Sequence, residues 1–337
     1  MRTTVNNSKI FQRLAWAATG LTLVVIVAGA WVRLTDAGLG CPDWPGCYGM
    51  VTWPSSTEHV DRANAEWGHV RMVESGKAFR EMFHRYLAGF LGLVILALAF
   101  LAWKNRSRPG QPVVLPMIIL GLVIFQAALG MWTVTLLLKP AIVTAHLLGG
   151  MATFGLLLWL ALSSSPRAHS PTLPARAQHT AVIIALAVVC VQIALGGWVS
   201  TNYAALACTS FPTCHGEWWP SMNFAEGFRI WRGIGVDYEG GVLDEPARVA
   251  IQMAHRIWAV VVVAIMAWLL VRLWRAEDLR KLAVVAGIVL LAQISIGIYN
   301  VVGGLPLANA VAHNGMAAVL LGVLLLMLDK SRLRHRE

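Results

Sequence analysis

Apolar runs of about 20 residues recur eight times along this chain, each long enough to cross the hydrocarbon of a bilayer as a helix. They fall at about 12–32, 82–103, 113–134, 141–163, 179–199, 249–273, 281–301 and 307–328. The expected fold is an all-α integral membrane protein with eight transmembrane helices. Composition agrees: 13% of the 337 residues are charged, against about 25% in soluble domains. The first run imitates a signal peptide, but Leu14 to Val32 is longer than the usual signal core of about 7–15 residues. It also has a counterpart later in the chain, so it reads as a retained helix.

The net charge of +10 is unevenly placed. The N-terminus, the loops near 104–112, 164–178 and 272–281, and the C-terminus carry 16 basic and 4 acidic residues. The opposite side holds the remaining 11 basic and 13 acidic residues. The positive-inside rule then puts both termini in the cytoplasm. The excess suits an anionic leaflet and needs no nucleic-acid partner.

The chain repeats itself. GAWVRLTDAGLGCPDWPGC from Gly29 aligns with GGWVSTNYAALACTSFPTC from Gly196, an offset of 167. EMFHR around His84 aligns with QMAHR around His255 at 171. Gln126, Gly130 and His146 align with Gln293, Gly297 and His313, again at 167. The second half therefore has a longer outer loop and a shorter inner one. Four helices per unit bring both units in from the same side, a parallel repeat. Two tandem pseudo-symmetric four-helix bundles are expected, 1–163 and 179–337, joined by a Pro/Ser-rich linker over 164–178.

His84 and His146, and likewise His255 and His313, lie early in the second and fourth helices of their halves. Both helices start on the outer side, so each pair sits at one depth. Ionisable groups within a membrane usually serve a function. Two imidazoles facing across a bundle suit haem iron held from both sides. Packed core histidines are the plain alternative. Zinc is the rival metal, but no third ligand accompanies either pair within the membrane. Gly89, Gly130, Gly149 and Gly150 would leave room for a flat macrocycle. Arg85 and Arg256, directly after the second-helix histidines, either reach haem propionates or snorkel to the interface. Glu81, one turn before His84, is matched by Gln252, which cannot ionise. That asymmetry points to chemistry in one half and electron transfer in the other; the alternative is a solvated carboxylate at a helix start.

Cys41 and Cys47, and Cys208 and Cys214, lie in loops assigned to the oxidising side. Each pair can close its own disulfide; a four-cysteine zinc site would favour closer spacing. Cys190, with no duplicate, reads as a core residue. Trp31, Trp44, Trp53, Trp198, Trp218 and Trp219 fit an interfacial belt. EHVDRANAEWGHVRMVESGKAFRE reads as a surface helix, and His59, His69 and His215 as solvated.

RLTDAGLGCPDWPGC, EMFHRYLAG, TAHLLGG, QMAHR and VAHNG together resemble the haem A synthase family over nearly the whole chain. The resemblance implies an oxidoreductase of cytochrome oxidase biogenesis. It oxidises a methyl group of haem O to a formyl group by two hydroxylations, giving haem A. It also implies substrate haem on His84 and His146, haem b on His255 and His313, and a catalytic role for Glu81. Haem iron is then the only metal. A haem O synthase, a membrane electron donor or acceptor and a second copy of the chain are expected partners. The location implied is a bacterial cytoplasmic membrane, or the mitochondrial inner membrane in a eukaryote. The residues alone also admit a di-haem b-type electron carrier or a haem-binding chaperone.

Overall fold

The computed structural model describes residues 2–165, 175 and 177–332, with side chains described from Lys9 onward. Most of the expected linker, including Arg167 and Arg176, lies outside the described residues, as do Arg334 and Arg336. The helices are α1 (Arg2–Leu34), α2 (Thr57–Trp67), α3 (Ser75–Lys104), α4 (Val114–Thr135), α5 (Pro140–Ser163), α6 (His179–Thr201), α7 (Phe224–Gly227), α8 (Glu245–Leu273), α9 (Glu277–Val302) and α10 (Leu307–Ser331). No strand occurs among the described residues. Eight helices, all but α2 and α7, are long and apolar enough to cross a membrane.

Helix ends follow local chemistry. Pro140 opens α5, where the missing N–H costs nothing. Asp244 caps α8 by accepting the Ala247 N–H, and Ser56 caps α2 through the N–H of His59. The expected surface helix over 58–81 is two elements. The chain breaks after α2, and its second part, from Ser75, is the first turns of α3. The hydrogen-bonded helix runs on past the point where hydropathy falls.

Helices α1, α5, α6 and α10 pack on one another at the centre, with α3 against α1, α4 against α5, α8 against α6 and α9 against α10. Each contact between spanning helices has a counterpart when the halves are exchanged; α1 on α10 answers α6 on α5. Lipid offers no hydrophobic drive between helices, so close approach and van der Waals contact must hold them. Small residues supply the approach. A Cβ at Gly197 would lie 2.8 Å from Leu147 of α5, and one at Gly322 would lie 3.3 Å from Phe154. Thr144 and Thr201 share a hydrogen bond of 3.1 Å across α5 and α6. Cys190 is not a core residue: it is exposed on the outward face of α6.

The disulfide-bearing ends of the two halves interlock. Arg33 donates to the Ser200 carbonyl at 2.5 Å and lies over the Tyr203 ring. Arg71 pairs with Glu239 at 2.5 Å. Lys139, 1% exposed at the turn before α5, donates to the carbonyls of Arg232 (2.6 Å) and Gly233 (3.2 Å) and sits over the Trp231 ring. The backbone N–H of Tyr238 donates to the Leu137 carbonyl. The longer second-half loop thus covers the α4–α5 turn of the first half.

Candidate functional site

Each of the four histidines lies against a glycine of a neighbouring helix. A Cβ at Gly29 would stand 3.0 Å from the His84 ring, at Gly130 3.4 Å from His146, at Gly196 3.2 Å from His255 and at Gly297 3.0 Å from His313. Gly29 and Gly196, like Gly130 and Gly297, are repeat partners. A side chain at Gly29, Gly196 or Gly297 would crowd an imidazole, whereas Gly130 leaves ordinary contact distance to His146. Gly149 makes room for Gln126 instead, and Gly89 has nothing within 4 Å. The Nδ1 atoms of His84, His146 and His313 are buried without a hydrogen-bond partner. Half-buried imidazoles held against backbone, three of them with a buried Nδ1 short of a partner, suit a haem iron bound from two sides. No group of three or more His, Cys, Asp or Glu among the described residues is arranged to hold another metal.

Sequence reasoning missed the glutamines. Gln126 of α4 donates to the His146 carbonyl at 2.8 Å. Gln192 of α6 places its amide nitrogen 3.2 Å from His255 Nδ1 and 3.3 Å from Nε2. Gln293 of α9 lies 3.4 Å from His313 Nε2. The signal was present but weak: Gln126 and Gln293 are repeat partners, whereas Gln192 stands opposite Val25.

The remaining expected site residues gather at the end of the bundle that carries the disulfide loops. Glu81 is 5% exposed. It accepts the Cys41 N–H at 2.8 Å through one oxygen and the Arg85 guanidinium at 2.6 Å through the other. Arg85 also donates to the carbonyls of Asp43 (3.1 Å), Pro45 (3.2 Å) and Gly46 (2.5 Å). Arg256 donates to the carbonyls of Cys208 (2.9 Å) and Thr213 (3.2 Å). Both arginines grip the loop of their own half. Gln252 is buried with its amide oxygen unpartnered. The first loop sits closer to its helix, because a Cβ at Gly40 would fall 2.6 Å from the Lys77 carbonyl carbon. Its repeat partner is Ala207.

Each loop closes its own disulfide, Cys41–Cys47 and Cys208–Cys214, with both pairs fully buried. Tyr48 donates its hydroxyl to the Met72 carbonyl, and burial pushes its phenol up to about 12. Trp198 is buried and donates to the Gly227 carbonyl, so it is no part of an interfacial belt. His59 is half-buried, while His69 is exposed and His215 lies 3.8 Å from Glu245.

Residues 12–325 match the family model of COX15-CtaA, described as cytochrome oxidase assembly protein. The chain belongs to this family. Within it, the chain is 45% identical to the haem A synthase of Shewanella oneidensis over 302 residues, 89% of this chain and 90% of that one. It is 29% identical to the haem A synthase of Rhizorhabdus wittichii over 322 residues, covering 90% and 89%. Identity is again 29% with that of Symbiobacterium thermophilum, over 94% of both chains. In this COX15-CtaA chain, the paired histidines, Glu81 and both disulfides all fall inside the matched residues.

Proposed function

We propose that this protein is a haem A synthase, oxidising a methyl group of haem O to a formyl group for cytochrome oxidase. The observation that carries the reading is 45% identity over nine-tenths of both chains to a haem A synthase, in a chain with two histidine pairs set against helix glycines. In our reading residues 1–163 bind the substrate haem through His84 and His146. Residues 179–337 bind a haem b through His255 and His313, which supplies one-electron transfer when bound. Placing substrate in the first half rests on Glu81, for which the second half has only Gln252.

The chain's own part in the chemistry is positioning and charge. The glycine cradles fix the imidazole planes. Glu81 is held by Arg85 and the Cys41 N–H, yet a carboxylate has about four lone-pair sites and keeps acceptor capacity for a water. We assign it to orienting that water, taking its proton, or stabilising positive charge on the oxidised methyl carbon. With Arg85 and Arg256 gripping loop carbonyls, propionate contacts fall to whatever donors they retain. The basic bias places both termini in the cytoplasm and both disulfide loops outside, in a bacterial cytoplasmic membrane. A haem O synthase upstream and a membrane electron partner complete the assignment.

The test is haem analysis after expression in a host that makes haem O. Haem A together with its alcohol intermediate is expected. Haem b alone would overturn the reading in favour of a di-haem electron carrier, and unmodified haem O would favour a haem chaperone.

A further inference from the structure

Three glutamines stand beside three of the four histidines, and each hides an unused acceptor. The amide oxygens of Gln126, Gln192 and Gln293 are all buried without a partner, although their amide nitrogens contact the His146 backbone carbonyl and the rings of His255 and His313. The Nδ1 atoms of His146 and His313 are buried and unpartnered as well. Exchange of amide O and N sets an acceptor 3.2 Å from His255 Nδ1 and 3.4 Å from His313 Nε2, whereas Gln126 reaches the His146 ring by a turn of its side chain. His84 is the exception. Gln192 lies four residues before Gly196, the glycine that cradles His255; four residues before Gly29, the cradle of His84, stands Val25. That register gives both positions the same relation to their imidazoles. His84 Nδ1 is buried with no partner.

We propose that Gln126, Gln192 and Gln293 buttress the imidazoles of His146, His255 and His313 as iron ligands, and that Val25 leaves His84 unbuttressed so that the first-half haem is the exchangeable one. This rests on the bis-histidine reading above. An imidazole whose N–H is accepted by an oxygen is oriented and made more basic, and loss of such a partner typically lowers metal affinity about 10–100-fold. A cofactor must stay through turnover, whereas a substrate must enter and leave. The two halves differ at this position in the required direction.

The experiment follows haem loss from the purified full chain to excess apomyoglobin, with haem b distinguished from haem O and A by pyridine haemochrome spectra. Gln192→Val should speed haem b loss about 10-fold or more, and Val25→Gln should slow loss of haem O and A by a similar factor. The low-spin spectrum should persist in both. If Val25→Gln does not fold, Gln192→Met and Gln293→Met must each speed haem b loss. Unchanged rates with an intact low-spin spectrum overturn the proposal and leave the bis-histidine reading standing. An unchanged haem b spectrum in His255→Ala and His313→Ala overturns the bis-histidine reading, and this proposal with it.

Discussion

Glu81 and Gly40 act on each other across the gap between α3 and the first disulfide loop. Glu81→Gln keeps size and one acceptor but cannot pair with Arg85 as a charge. The protein should fold, at a cost of about 1–3 kcal/mol, and retain haem b. Haem O or the alcohol should accumulate in extracts; haem A formed at the parental rate would remove Glu81 from the reaction. Gly40→Ala leaves the carboxylate chemically intact but drives a methyl against the Lys77 carbonyl. It should lift the loop, break the Cys41 N–H contact and slow haem A formation in the same assay; an unaffected rate would separate loop placement from catalysis. In the second half, His255→Ala and His313→Ala should each abolish the low-spin haem b absorbance. The histidines and Glu81 were legible because ionisable groups stand out in an apolar sequence. Gln192 and Gly40 were not, since a neutral amide in a membrane helix and a glycine in a loop are unremarkable, and their meaning lies in contacts to residues 63 and 37 positions away.

At the scale of elements, hydropathy found every spanning helix but not every start. α3 begins at Ser75 and α8 at Glu245, each several residues outside its apolar run. The Asp244 cap sets the start of α8 and backbone bonds to the Glu74 carbonyl that of α3, and neither registers in a hydropathy average. The disulfide pairing was readable from matched spacing. What the spacing did not reveal is that Arg85 and Arg256 tie each loop to the helix bearing a histidine. Replacing Cys208 and Cys214 together by serine should loosen that loop by about 2 kcal/mol, the entropy of a short closed ring. Faster hydrogen exchange confined to 205–217 is the expected readout. Exchange that stays at the parental rate would mean that Arg256 alone holds the loop.

For the whole molecule, charge bias predicts a cytoplasmic C-terminus. A reporter fused there should be active only if it works in the cytoplasm, and periplasmic activity would reverse the topology. The repeat was visible in the sequence, but the way the halves meet was not. Periodicity does not tell which face of α1 finds α10, and nothing in the local sequence marks Lys139 as buried. Lys139 also sets a timetable. Its acceptors, the carbonyls of Arg232 and Gly233, lie 93 and 94 residues later in the chain. At synthesis rates of about 5–20 residues per second, the ammonium waits roughly 5–20 s for them. During that interval the ammonium is hydrated at the rim of the newborn first half, and the arriving loop must displace that water, so protease protection of segment 229–240 should lag synthesis of the chain, and Lys139→Met should leave that segment cleavable for longer in a pulse-chase.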